Sequence, residues 1–142
     1  KDWFKPSAYG LILLMKKGYP CIFYGDYYGV KGKKSPHRKV LDMLLRARKE
    51  YAYGEEVDYF DHPNTIGFVR LGDSGHADSG LALVISNGED GEKTMSVGEN
   101  RKGEVWHEIT GSVKDTVAID EEGKGRFLVK GGKLAVWVKV KA

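Results

Sequence analysis

The chain has 142 residues, with 23 basic and 20 acidic side chains and a formal charge of +3. That near balance, without long blocks of like charge, leaves no footprint for nucleic acid. The length suits one ordinary domain or a small domain with part of another, the single cysteine excludes an internal disulfide, and no apolar run approaches the roughly 20 residues of a membrane span.

Residues 3–17 place Phe4, Ala8, Leu11, Ile12 and Met15 on one face of a helix. Pro6 falls in the first turn, where it is tolerated, and Gly18 suits the C-terminal cap. The next segment, GYPCIFYGDYYG at 18–29, reads as a buried strand. Pro20 stiffens its start, Cys21, Ile22, Phe23 and Tyr24 are unbroken by polar residues, and Gly25 ends the run. An apolar run of this kind suits a parallel strand covered on both faces, with Cys21 as a small core residue. Such a strand needs neighbours on either side. Nothing else in the first third resembles one, so the chain reads as a piece of something larger.

The loop 25–36, rich in glycine and lysine, is long enough to carry part of a site. A second helix follows over 38–51, with Val40, Leu41, Leu44, Leu45 and Ala47 in its apolar stripe and Arg46, Arg48 and Lys49 near its negative pole. Helix, strand, loop and helix form a piece of an α/β repeat.

After Gly54 the texture changes to short alternating runs at 57–60, 65–71, 81–86, 94–97, 104–109, 116–119, 126–129 and 133–140. Turn signals such as Asn87-Gly88, Asp90-Gly91 and Gly131-Gly132 separate them. Eight strands at this spacing predict an antiparallel sandwich. In the last, Leu134, Val136, Val138 and Val140 share one face and Ala135, Trp137 and Lys139 the other, with one face expected to be core and the other partly exposed. The expected division is therefore 1–53 and 54–142. The second part is expected to fold alone, because its strand set is complete.

Several stretches carry a more specific resemblance. GYPCIFYGDYYG resembles the segment of the eighth barrel strand in alpha-amylases of glycoside hydrolase family 13. WFKPSAYGLILL resembles the helix before it, and LLRARKEYAYGEEVDYFDH the eighth helix and its exit. GDSGHADSGLALVISNG and VWHEITG are similar to the C-terminal sandwich of the bacterial liquefying group. The resemblance covers essentially the whole chain in order. It implies the end of a (β/α)8 TIM barrel (seventh helix, eighth strand, eighth helix) over 1–53, followed by an antiparallel Greek-key β-sandwich, domain C, over 54–142.

The implied activity of the intact enzyme is hydrolysis of internal alpha-1,4 bonds of starch or glycogen with retention. The nucleophile, the acid/base and the third carboxylate of that family sit on the fourth, fifth and seventh strands, so no catalytic residue is assigned here and the chain alone is expected to be inactive. The implied partners are an alpha-glucan and the remainder of the barrel domain, with no nucleic acid and no membrane. Secretion is favoured by the resemblance, and the cytoplasm stays open.

Asp26 lies just past the end of the strand-like run, where barrel enzymes place their chemistry. Three roles are open to it: bracing the loop, lining an outer sugar subsite, or acting as proton donor or nucleophile. Tyr24, Tyr27 and Tyr28 are candidates to stack on sugar faces or to pack the barrel mouth.

The resemblance also implies calcium in the intact enzyme, at a site between barrel and sandwich whose ligand positions align with Pro63, Asn64 and Asn87. Aspartates usually occupy the last two. An amide oxygen is a weaker donor than a carboxylate, so the site is expected to be degenerate, with no calcium held by this chain alone. His37, His62, His76 and His107 lack zinc-type spacing. A second reading is a non-catalytic glycan-binding or structural β-sandwich module, in which Trp106, Trp137, Tyr53 and Tyr59 stack on a glucan, although tryptophans in sandwich strands are more often core.

Overall fold

In a computed structural model, which describes residues 2–17 and 20–141, three helices precede eight strands. The helices are α1 (Lys5–Leu14), α2 (Tyr24–Tyr28) and α3 (Arg38–Glu50). The strands are β1 (Glu56–Tyr59), β2 (Thr65–Arg70), β3 (Leu81–Ser86), β4 (Gly91–Ser96), β5 (Val105–Glu108), β6 (Thr116–Ala118), β7 (Lys124–Val129) and β8 (Leu134–Lys139). Each of the eight expected strands is present. Six form one sheet in the order β1-β2-β3-β8-β5-β6, and β4 pairs with β7 in a second layer. All pairings are antiparallel. The pairs β3 with β8, β4 with β7 and β5 with β6 are nested, as in a long hairpin folded over itself.

The central strands decide the architecture. β3 is buried along its whole length and β8 along all but its last residue. The register sets Phe68 beside Leu83 and Leu83 beside Val136, while Val69, Ala82 and Trp137 line up on the opposite face. The first row belongs to a core shared with Leu13, Leu14, Leu41, Leu44 and Ala47 of α1 and α3. The second belongs to a core with Met95, Trp106, Phe127 and Val129 beneath the β4–β7 pair. Both faces of β8, one of them expected to be partly exposed, are therefore interior. A sheet apolar on both faces has to be covered twice, and each Leu or Val side chain taken fully out of water contributes about 1.5–3 kcal/mol.

Because the helix-side core runs across Gly54, residues 54–142 have an apolar face that the helices cover, in addition to their complete set of strands. Self-sufficiency does not follow from counting strands. At Gly10 a Cβ would come within 2.8 Å of Leu134 Cδ1, so α1 lies on the sheet at glycine distance. Gly54 has φ +82°, and a Cβ there would meet the Gly72 carbonyl.

Two expectations in the first third need correction. The buried side of α1 carries Tyr9, Gly10, Leu13 and Leu14, whereas Ile12 is exposed and Phe4, Leu11 and Met15 are only partly covered. The helix is apolar almost all round, so periodicity alone does not pick its inner face. It also ends at Leu14, and the expected cap at Gly18 lies outside the described residues. The larger correction concerns 21–24, which forms no strand. Cys21, Ile22 and Phe23 are irregular, Tyr24 opens α2, and Cys21 is exposed instead of being core. A parallel strand exists only by pairing, and among the described residues no strand pairs with this segment. The stripe expected on α3 is closer to the outcome: Leu41, Leu44 and Ala47 are buried, while Leu45 is exposed.

Two buried charged groups tie the layers together through backbone. Arg70 on β2 donates from Nη1 to the Leu14 carbonyl at 2.9 Å and from Nε to the Gly54 carbonyl at 3.1 Å. Arg48 of α3 donates to the Leu13 carbonyl at 2.7 Å. The open carbonyls at the end of α1 are thus met by cations, which also suit the negative pole of the helix. Glu108 at the end of β5 accepts from the backbone N–H groups of Thr110, Ser112 and Val136 at 2.9, 2.9 and 2.8 Å. It also accepts from the hydroxyls of Thr110 and Ser112.

Removing the Glu108 carboxylate leaves several buried donors without an acceptor, each costing about 1–3 kcal/mol. Glu108→Ala is expected to lower stability by about 3 kcal/mol or more, and Glu108→Gln by less, in denaturant unfolding. Equal stability of Glu108→Ala and the parent chain would contradict this role.

Candidate functional site

The segment from Phe23 to Arg38 holds most of the residues singled out from the sequence. The short helix α2 turns Asp26 inward and leaves much of the aromatic surface outside. The Asp26 carboxylate, on a side chain only 12% exposed, accepts from Lys5 Nζ at 2.8 Å and from the Tyr9 hydroxyl at 2.6 Å. The Tyr9 oxygen in turn accepts from the Phe23 N–H at 3.0 Å. Ser35 Oγ donates to the Asp26 carbonyl and accepts from the His37 N–H at 3.1 Å. One aspartate therefore ties α1, α2 and the start of α3 together.

The electrostatics follow from those contacts. The Lys5 ammonium first, and the Tyr9 hydroxyl second, hold the Asp26 carboxyl below the usual carboxylate range against the opposing effect of burial. Lys5 is raised by the same bond. Burial first, and the Asp26 bond second, push the Tyr9 phenol up. Asp26 is thus held as an anion with both oxygens occupied.

Tyr24 is 73% and Tyr28 56% exposed, with ring centroids 4.6 Å apart. Tyr27 meets Tyr28 edge-on at 4.8 Å, donates its hydroxyl to Asp42 at 2.6 Å, and carries the Arg38 guanidinium 4.4 Å above its ring. The Asp42 bond raises the Tyr27 phenol. Beside these rings lies an open cleft of about 460 Å³, lined by Tyr27, Tyr28, Lys34, Ser35, Arg38 and Lys39 among others. Phe23, 67% exposed, and Val30 extend the apolar surface away from it.

The three positions singled out for calcium lie on two loops at one end of the sandwich. The Asn87 N–H donates to the Asn64 carbonyl at 3.1 Å, and the Asn64 N–H to His62 Nδ1 at 3.1 Å. Pro63, Asn64 and Asn87 are all exposed. An open cleft of about 640 Å³ beside them is lined by Asp61, Asn64, Glu89, Asp90 and Lys93 among others. Two of the carboxylates there, Asp61 and Asp90, are already engaged. Asp61 pairs with Lys93 Nζ at 2.7 Å, on a lysine side chain only 10% exposed, and Asp90 accepts from the Gly131 N–H at 2.7 Å. Among the described residues no three His, Cys, Asp or Glu side chains converge as a metal-binding group. Neutral amides beside a buried ammonium do not fit a tight site for a hard dication.

Trp106 and Trp137 are fully buried, with Nε1 donating to Glu104 at 3.0 Å and to the Leu128 carbonyl at 3.1 Å. They are core, not a sugar platform. Tyr59 accepts from the Ser96 N–H through its hydroxyl, and Tyr53 is stacked on His76 with centroids 3.5 Å apart. Sequence reasoning missed Lys5 and Tyr9 as partners of Asp26. The tyrosine lies four residues after the lysine, one helical turn, which was a readable signal.

No family model matches the chain. It is 48% identical over 139 residues to a glucan 1,4-alpha-maltohexaosidase of Bacillus sp. (strain 707), covering 97% of this chain and 27% of that protein. It is also 48% identical over 143 residues to an alpha-amylase of Bacillus licheniformis, covering 98% of this chain and 28% of the relative. The chain thus spans about a quarter of the length of these relatives. Among solved structures, an alpha-amylase of Malbranchea cinnamomea superimposes with a TM-score of 0.71 at 13% identity, over 96% of this chain and 33% of that one, a likeness of fold. Among the described residues no helix is long and apolar enough to cross a membrane.

A carboxyl whose value is lowered on folding contributes stability that is complete above its unfolded value of about 3.9 and is lost as pH falls through the folded value. Asp26→Asn is therefore expected to lower the Tm at pH 7, and the gap to the parent chain is expected to close as the pH drops toward about 2. A gap independent of pH would show that the charge of Asp26 plays no part.

Proposed function

From a chain that belongs with the alpha-amylases of glycoside hydrolase family 13 along a quarter of their length, we propose that the protein carrying it hydrolyses internal alpha-1,4-glucosidic bonds of starch or glycogen with retention. The observation that carries this reading is 48% identity sustained over 97% of the chain, from the first helix to the last strand. In that reading residues 1–53 complete a barrel and residues 54–142 form the sandwich docked on it. A retaining enzyme needs two carboxyl groups about 5 Å apart across the scissile bond. Asp26 is bonded to Lys5 and Tyr9 and has no second carboxyl partner. This chain supplies support, not the reacting acids.

The segment at 21–30 agrees with such an arrangement. Phe23, Tyr24 and Val30 are exposed, a patch of large apolar side chains that a covering partner would take out of water. The partner proposed is the remainder of the barrel, against which Cys21 to Tyr24 gains the backbone pairing it lacks here. The reading as a free-standing glycan-binding module loses its two tryptophans, which are interior.

The test is the action of the whole protein on starch. A rapid fall in viscosity, with the alpha-anomer released first in proton NMR, is the expected result, and the 142-residue chain alone is expected to be inert. Release of the beta-anomer, or no cleavage, would overturn the proposal. For the interdomain calcium implied by the family, calorimetric titration of the whole protein is expected to show binding weaker than about 10⁻⁴ M at the Asn64 and Asn87 site, tightened by Asn64→Asp with Asn87→Asp. A tight site that these substitutions do not change would refute this.

A further inference from the structure

The near balance of charge over the whole chain hides a strong local excess. Between Asp26 and Asp42 stand Lys31, Lys33, Lys34, Arg38 and Lys39, with His37 and no acidic residue, which leaves the rest of the chain net negative. The ion pairs of the molecule lie elsewhere. Among the described residues none of these five cations has a carboxylate within ion-pair distance. Two of them, Arg38 and Lys39, occupy the first turn of α3, which contains no acidic residue. Cations there meet the positive pole of the helix, so each adds to the local positive potential, against which the cleft sets one carboxylate, Asp42, already bonded to the Tyr27 hydroxyl.

The fold gathers this charge beside aromatic rings. A tight turn at Val30–Lys33, with Lys31 at φ +53° and Gly32 at φ +77°, folds the lysine-rich loop back. Ser35, bonded to the Asp26 carbonyl and to the His37 N–H, fixes the path into α3. Lys34, Arg38 and Lys39 then line one cleft with Tyr27 and Tyr28. The Arg38 guanidinium sits 4.4 Å above the Tyr27 ring and 5.4 Å from that of Tyr28. Stacking leaves the edge of a guanidinium free to donate hydrogen bonds.

We propose that this cleft binds a phosphate monoester carried on an alpha-glucan, with Lys34, Arg38 and Lys39 on the phosphate and the exposed ring of Tyr28 against the adjoining pyranose. The sugar part rests on the function proposed above; the anion part rests on charge alone. A monoester carries about −1.5 to −2 at neutral pH and three acceptor oxygens, which matches a cluster of unpaired donors. A neutral glucan uses the tyrosines but leaves the cations unpaired. Inorganic phosphate does the reverse. The ester on the sugar is the ligand that uses both.

The experiment measures binding to the 142-residue chain by NMR titration at low salt, with four probes. They are a maltooligosaccharide bearing one 6-phosphate, the neutral sugar of the same length, inorganic phosphate, and duplex DNA. The phosphorylated sugar is expected to bind about tenfold tighter than either the neutral sugar or inorganic phosphate. Lys34→Gln with Lys39→Gln, both exposed positions without partners, is expected to remove the tenfold preference and keep the fold by circular dichroism. Lys34→Arg with Lys39→Arg is expected to retain the preference, and about 0.5 M salt to erase it.

Equal affinity for phosphorylated and neutral sugar overturns this inference and leaves the glucan-hydrolase reading intact. Inorganic phosphate or DNA binding as tightly as the sugar ester overturns it too, in favour of a general polyanion surface. Failure of the whole protein to cleave starch speaks against the hydrolase reading alone.

Discussion

The structure turns on a sheet whose middle strands are apolar on both faces. β3 and β8 offer no side to water, so the polypeptide has to supply a cover for each face. One cover is the β4–β7 pair, whose Met95, Phe127 and Val129 close over Trp106 and Trp137. The other is the pair of helices at the start of the chain, whose leucines close over Phe68, Leu83 and Val136. The two halves that composition separates at Gly54 are therefore halves of one buried core. Gly10 sets how near α1 lies to the sheet, because any side chain there would displace Leu134 and Leu83.

Charged groups secure the arrangement at its seams, and they do so by serving backbone. Arg70 and Arg48 reach the last carbonyls of α1 from two different elements, so the end of that helix is fixed against both sheet and helix. Burial lowers Arg70 from its usual value, yet guanidinium stays charged at any ordinary pH, so the bonds persist. Glu108 mirrors this with the opposite sign, collecting N–H and hydroxyl donors of the 109–112 turn and of β8. In each case the sequence shows only an unremarkable charged residue. The role comes from where the backbone ends.

The first third of the chain combines a firmly tied part with an uncovered one. Lys5, Tyr9, Asp26 and Ser35 form a connected set of bonds that fixes the loop before α3. Beside it, Phe23, Tyr24, Tyr28 and Val30 stand in water, and the lysines of 31–39 stand unpaired. Under the proposed function the inner bonds stay as they are, and the apolar outer surface at Phe23, Tyr24 and Val30 is covered by the remainder of the barrel. The same contrast separates the aromatic residues by function. Trp106 and Trp137, suited by type to stacking on sugars, are consumed by the core, and Tyr24 and Tyr28 of α2 keep accessible rings.

Local pattern was enough for the eight strands, their turns, α3 and the resemblance to a family of glucan hydrolases, because alternation, glycine turns and helical stripes are written in neighbouring residues. Other features depended on residues far apart in sequence. The run Cys21 to Tyr24 has every local mark of a strand, yet a strand is made by its neighbours; here Cys21 to Phe23 are irregular and Tyr24 opens α2. The alternation along β8 predicts one partly exposed face, but the helices cover one side and the β4–β7 layer the other. The inner face of α1 could not be read from a helix apolar on nearly all sides; the sheet chose Leu13 and Leu14. The partners of Asp26, and the engagement of Asp61 by Lys93, arise only when distant segments meet, since hydrogen bonds and ion pairs act over a few ångströms whatever the spacing along the chain.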